Sequence, residues 1–448
     1  EKRTLTVEHA DITEAFARGD TLALRVGPHL RVLRMGEPPT DGSEFGASTG
    51  WVDLSRARVP IEPRQERRQM LRETWRMMRD NYWRPDLPKD WRAIWTTYEA
   101  ELDGLTCRSE YSDLVWRMVG ELGTSHAYEM LGDYPRRPPN HAPGQLGAEF
   151  AWSEGAWRLT RIVRGEAGDP ERSGPLTAPG LNLAVGDALE AVNGVPLSRS
   201  LSPEQALAGL AGHEVSLTFE GRTLAVTTMV FDRALNYRDW VCRNRERVLE
   251  LTGGRAGYLH IPDMGPAGYA EFFRDLKAEA DREGILVDVR FNRGGHVSQL
   301  LLEKLARTVG SWGIPRHGKP YTWPAHAPLG PLVCLTNEMA GSDGDIFSHG
   351  FKQRGMGPLI GHRTWGGVVG IWPKLRHVDG SLTTQPEFAS WFVDVGFGIE
   401  NHGADPDIEV DISPADFAEG RDPQLARAVE VLLERMEAFR LVRPPSSS

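Results

Sequence analysis

Ser342 stands where a serine nucleophile could work. The run from Ala340 to Phe347 follows the apolar stretch 331–336 and precedes a helical stripe of Ile346, Phe347, Gly350 and Phe351. The stretch reads as a buried strand and the stripe as a helix, so the serine falls at a helix N-terminus. Backbone N–H groups left unpaired there favour the negative charge that grows on an oxyanion during acyl transfer. Serine is also a preferred N-cap, and taken alone Ser342 reads as structural. Other polar segments lie beside element ends. Asp288 to Gly295 closes on paired glycines that let a backbone N–H approach a ligand. Thr364 to Gly370 is a second glycine-rich loop, and Gly396 to Asp407 offers a carboxylate in a turn. Thr124, Ser125, His126, Ala127 and Tyr128 follow a helix end, where a histidine is more often a satisfied polar residue than a catalyst. Singly, each of these is an ordinary loop.

The elements that must position these residues change character along the chain. Up to residue 54, short alternating runs at 4–7, 21–26, 30–35 and 51–54 read as strands, too few for an independent core. From Pro63 the spacing becomes helical, with Leu71, Trp75, Met78 and Tyr82 on one face and Pro85 and Pro88 ending the helix. A second helix buries Tyr111, Leu114, Val115, Met118, Val119 and Leu122, and Gly123 stops it. Residues 136–143 have a linker composition. Beyond them, Val185 to Gly194 resembles the signature of PDZ domains, with Asn193 and Gly194 as a tight turn; a helix over 203–210 and strands over 214–219 and 223–231 complete a domain of that size. Such a domain captures extended peptide ends by strand addition or serves as a scaffold insert. From about residue 237, strands over 256–261, 285–289 and 331–336 alternate with helices over 269–282, 297–309 and after Ser342, the pattern of an α/β core with parallel strands. A strand over 387–395 and an amphipathic helix over 424–439 close it, leaving a loose tail at 443–448.

Bulk composition narrows the function classes. The 448 residues suffice for about three domains, and 40% hydrophobic content can fill their cores. No apolar run approaches the roughly 20 residues needed to span a bilayer, and the first residues form no secretion signal, so a cytoplasmic location and no membrane partner are expected. A net charge of −10 with both signs interspersed argues against nucleic acid. Cys107, Cys242 and Cys334 lack metal or redox spacing and are expected to be reduced and buried. The thirteen histidines show no HExxH pattern, so neither a catalytic metal nor a cofactor is expected. The opening on Glu1 and the isolated first strands point to a fragment or a processed product.

Five motifs in order give these parts a common meaning. Gly123 to His126, Asp288 to Gly295, Ala340 to Phe347, Arg363 to Gly370 and the Glu400, Asn401, Gly403 set together resemble the C-terminal half of the tricorn protease family, over nearly all of residues 55–440. The resemblance implies a multidomain α/β chain. Residues 1–54 would be terminal strands of a truncated β-propeller, 55–139 a helical subdomain with His126, 140–235 a PDZ-like domain, and 236–448 a catalytic α/β domain of crotonase or tail-protease type with Ser342. It implies a serine peptidase whose tetrad is Ser342 as nucleophile, His126 as base, and Ser125 with Glu400 orienting the imidazole. Gly295, or its neighbour Gly294, and Asp343 would supply the oxyanion N–H groups. Family properties extend the expectation to oligopeptide substrates left by proteasome-type degradation, a homo-hexamer and aminopeptidase partners.

One departure bears on specificity. Members of the family can prefer basic P1 residues through an acidic side chain expected in 310–330, a stretch that here contains no Asp or Glu. Hydrophobic P1 residues are therefore expected to be accepted at least equally. Two rival readings remain. A carboxyl-terminal processing protease would need a lysine roughly 25 residues past the serine. Position 367 is glycine, and Lys352 and Lys374 have the wrong spacing. An inactive PDZ scaffold homologue would not need every tetrad residue type.

Overall fold

A computed structural model describes residues 12–36, 42–58, 60–134, 141–166, 173–372 and 375–444. The chain divides into two compact units, Glu1–Arg67 and Arg68–Ser448. In the first, Ile12–Arg18, Thr21–Val26, His29–Arg34 and Trp51–Val52 form an antiparallel sheet in chain order. The strand Ile12–Arg18 is exposed along its length and was not anticipated. The expected strand at 4–7 lies outside the described residues.

The second unit holds the helical, PDZ-like and α/β parts together. The helix Pro63–Asn81, most of which lies in this unit, buries Leu71 and Met78 against Tyr111, Leu114, Val115 and Met118 of the helix Arg108–Gly120. A third helix, Trp91–Glu101, was missed behind the two prolines; Asp90 caps it by accepting from the N–H groups of Arg92 at 3.0 Å and Ala93 at 3.2 Å. Its Trp91 and the first helix's Trp75 each donate an indole N–H to the other's carbonyl, at 2.8 and 2.6 Å. The helix Arg108–Gly120 stops before Gly123, whose φ of 60° turns the chain into Thr124.

The PDZ-like sheet runs Arg222–Thr227, Glu214–Phe219, Ala188–Val192, Ala156–Ile162, Ala148–Ser153. Positive φ at both Asn193 and Gly194 makes the expected tight turn. The expected boundary between residues 235 and 236 falls inside a long helix, Arg233–Thr252, that ends on left-handed Gly253. Periodicity did not show this helix, since charged and aromatic residues interrupt its apolar stripe.

The α/β part is a five-stranded parallel sheet ordered Ala256–His260, Gly284–Asp288, Leu332–Thr336, Leu359–Gly361, Ile408–Glu409. Its first three strands are buried throughout, as expected when helices cover both faces. Phe272, Leu301, Phe347 and Phe351 pack on one face, and Val241, Val248, Ala428 and Leu432 on the other. The strand expected over 387–395 is not formed. Short strands Leu382–Thr383 and Pro386–Phe388 take its place, followed by turns in which Phe392 and Gly396 pair with each other. With no partner strand beside them, Trp391 and Val393 lie 61% and 80% exposed. The cysteines also depart from expectation: all three are free thiols, but Cys107 is exposed and Cys242 half-buried, leaving only Cys334 in a core.

Candidate active site

The nucleophile side is built from local backbone. Ser342 occupies the turn between the strand Leu332–Thr336 and the helix Asp343–Gln353, with φ 58° and ψ −122°. Positive φ is unusual for a residue with a side chain, and strain of this kind collects at sites where position matters. The turn is held on both sides: Gly341 N–H donates to Asn292 O at 3.0 Å, and Asp345 N–H donates to Ser342 O at 2.9 Å. The capping role expected of Ser342 is not realised. Its side chain takes the N-cap position yet accepts no N–H from the helix, because the positive φ carries it out of capping geometry.

Gly294 allows the adjoining loop to reach the serine. A β-carbon on Gly294 would lie 2.5 Å from Ser342 Cβ, and its φ of 74° favours glycine independently. The two neighbouring glycines differ in their hydrogen bonds. Gly294 N–H is committed to Asn292 Oδ1 at 2.8 Å. The N–H groups of Gly295 and Asp343 donate to no acceptor among the described residues. Asn292, fully buried, also donates from Nδ2 to Ile261 O at 2.7 Å, so one side chain and its carbonyl tie the glycine loop to the nucleophile turn.

The base side is assembled across distant segments. Ser125 Oγ lies 2.9 Å from His126 Nδ1 and donates to Glu400 Oε2 at 3.1 Å. A carboxylate only accepts, so the single hydroxyl proton goes to Glu400 and Nδ1–H of His126 becomes the donor to Ser125. That tautomer leaves the Nε2 lone pair free. Burial holds the His126 pKa below the ordinary histidine value, partly offset by the charge of Glu400, so the ring is neutral near pH 7. Glu400 further accepts from Thr124 Oγ1 at 3.0 Å and from the N–H groups of Ser125 at 2.7 Å, Val368 at 2.7 Å and Val369 at 3.0 Å.

Docking of the His126 segment onto the α/β part has its own ladder. Glu129–Met130 pairs antiparallel with Leu382–Thr383, and Thr384 Oγ1 both donates to His126 O at 2.6 Å and accepts Tyr128 N–H at 2.9 Å. Thr384 thus holds His126 in its own positive φ of 60°. Arg108 pairs with buried Glu129 and, at 2.8 Å, with Asp379, securing the same junction. Asp345, one turn past the nucleophile, accepts the N–H groups of Gly366 at 2.7 Å and Gly367 at 3.2 Å; its burial raises its pKa against those hydrogen bonds.

Ser342 and His126 line one cavity of about 460 Å³, with no hydrogen bond between their side chains among the described residues. Such contacts often tighten only when substrate is bound. Tyr128, Arg293, Glu338, Met339 and Trp365 complete most of the wall, and none of residues 310–330 lines it. Thr384 and the roles of Asn292 and Asp345 escaped sequence reasoning. Asn292 and Asp345 lie inside recognised motifs, whereas nothing in the sequence sets Thr384 apart.

A hydroxyl on a turn of positive φ and an imidazole whose Nε2 lone pair is free line one cavity, and these are groups that serine peptidases use for acyl transfer. Residues 255–410 match the model for peptidase family S41, residues 144–231 the tricorn protease PDZ domain, and residues 63–120 the tricorn protease C1 domain. Tricorn protease homolog 1 of Streptomyces coelicolor is 43% identical over 98% of this chain and 42% of its own length. The tricorn protease homolog of Saccharolobus solfataricus is 46% identical over 91% of this chain and 38% of its own length. The crystal structure of the tricorn protease superposes with a TM-score of 0.88 at 34% identity, covering 95% of this chain and 42% of that one. The chain belongs to the tricorn protease family and spans less than half the length of these relatives. Among the described residues no helix is long and apolar enough to cross a membrane.

Proposed function

We propose that this chain hydrolyses peptide bonds with Ser342 as nucleophile, His126 as general base, Ser125 and Glu400 as the orienting pair, and the N–H groups of Gly295 and Asp343 as the oxyanion hole. The observation that carries this reading is the relay from Glu400 through Ser125 to His126, which ends at the cavity lined by Ser342. Ser342 Oγ attacks the peptide carbonyl carbon as Nε2 takes its proton, and the carbonyl oxygen becomes an oxyanion facing the two N–H groups. The imidazolium then gives the proton to the departing amine, and water repeats the cycle on the acyl-enzyme. Because Ser125 stands between the ring and the carboxylate, Glu400 stabilises the imidazolium less than a directly bonded carboxylate would.

Family membership supports short peptides left by proteasome-type degradation as substrates, a cytoplasmic setting, a homo-hexameric assembly and aminopeptidase partners. Native mass of the full-length protein tests the assembly. A Ser/Lys dyad is disfavoured: Lys352 Nζ donates to Asp405 O at 2.6 Å and pairs with Asp407 at 3.1 Å. Hydrophobic P1 residues should be accepted at least as well as basic ones, and strict cleavage after Lys or Arg in a peptide library would sink that preference. The mechanism is tested with a fluorophosphonate probe, which should label Ser342 and fail to label His126→Ala. Labelling that survives the change removes His126 as base.

A further inference from the structure

The residue between the fully buried Asn292 and the buried Gly294 is an exposed arginine, Arg293. Its own N–H is fixed to Pro262 O at 3.1 Å, and the chain on either side is pinned by the Asn292 and Gly294 hydrogen bonds, so its Cα is rigidly placed. Its guanidinium makes no hydrogen bond, ion pair or ring contact among the described residues, yet it lines the cavity of Ser342 and His126. Two residues on, Gly295 presents the unpaired N–H assigned to the oxyanion. A cation held beside the reacting centre without a protein partner is available to a ligand, and the planar fork of arginine matches a carboxylate.

The cavity has one other charged wall residue, Glu338, and the two are not paired with each other. Glu338 and Trp365 also line an adjoining cavity of about 570 Å³ in which Asp405 and Glu409 outnumber the one arginine, Arg363, whereas Arg293 lines only the first. The positive end of the groove is therefore the end next to the glycine loop. We propose that Arg293 is a specificity residue that binds a substrate carboxylate close to the scissile bond. This rests on the peptidase reading above. The carboxylate has two sources in a peptide, an Asp or Glu side chain or the free C-terminus.

Steady-state kinetics on matched peptides tests it. One arm compares Glu with Gln at each position around the cleaved bond, and the other compares a free C-terminal acid with its amide. With the intact protein, one of these pairs should favour the carboxylate by about tenfold in KM, the scale of one charge-assisted hydrogen bond. In Arg293→Gln that ratio should collapse to one, and in Arg293→Glu it should invert, with unfolding midpoints confirming that both variants fold. Equal cleavage of both members of every pair by the unaltered protein overturns the inference while leaving the peptidase reading intact. A fall in kcat of the same factor for charged and neutral peptides also overturns it, because Arg293 would then act on the oxyanion. Absence of both cleavage and probe labelling at Ser342 overturns the peptidase reading instead.

Discussion

The two halves of the site are held by different kinds of structure. Around Ser342 the determinants are short-range: a strand end, a helix start and a glycine loop from the neighbouring strand, all within one sheet and its connections. Around His126 they are long-range, joining a helix terminus to Glu400, Val368 and Thr384, hundreds of residues away. The placing of Ser342 therefore depends on how one domain is built, and that of His126 on how two parts dock. Disturbing the loops around Ser342 should cost more activity than loosening the contacts that dock His126.

The largest effects should come from the reacting groups. Ser342→Ala and His126→Ala are each expected to lower kcat by about 10⁴-fold or more with little change in unfolding midpoint, as for other serine-centred catalytic groups. Gly294→Ala follows: its new methyl meets Ser342 Cβ at 2.5 Å and Asp343 N at 3.0 Å, so both the serine and the Asp343 N–H must shift. A loss of about 100-fold in kcat, together with about 1–3 kcal/mol of stability in denaturant titration, is the expected outcome. Wild-type turnover in Gly294→Ala would falsify the close approach of that loop to the serine.

On the docking side the effects should be smaller and separable. Thr384→Val keeps the volume but removes the hydroxyl that bonds His126 O and Tyr128 N–H, and kcat should fall about tenfold to 100-fold while KM changes little. A change in KM alone would show that Thr384 positions substrate rather than the base. The smallest effect concerns pH. Burial lowers the His126 pKa, and protonation removes the base, so the acid limb of kcat/KM should lie below the ordinary histidine value of 6.5. Trp365, whose ring stands edge-on to His126 at 5.3 Å, contributes to that burial; Trp365→Ala should move the limb upward toward 6.5. A limb already at or above 6.5 in the unaltered protein would mean that solvent reaches the ring.

Legibility in the sequence followed the same division. Three of the five parallel strands are nearly continuous apolar runs bounded by glycine and polar loops, and their positions were readable to within a residue or two, whereas Leu359–Gly361 and Ile408–Glu409 are too short to show such a run. The helix Trp91–Glu101 and the helix Arg233–Thr252 were not, because aromatic and arginine side chains on their half-buried faces blur the apolar period. The 387–395 segment failed in the opposite sense. Its alternating apolar residues suit a strand, but strand formation needs a partner: pairing with Gly370–Ile371 ends at Phe388, and beyond it Phe392 and Gly396 turn back on each other.

Residue types, order and local spacing were determined by the sequence alone. It placed Ser342 at a strand-to-helix turn, paired glycines at 294 and 295, and a serine beside His126, because such features depend on a few consecutive residues. Only the tertiary structure decided that Ser342 does not cap its helix, that Gly294 N–H is occupied while Gly295 N–H is free, and that Thr384 holds the histidine. The first two depend on positive-φ turns, which carry Ser342 out of capping geometry and set Gly294 N–H on Asn292 Oδ1, and the third on the acceptor that another segment brings within 3 Å or so. Nothing in a linear pattern encodes that distance, since it arises when the helical part and the parallel sheet pack against each other.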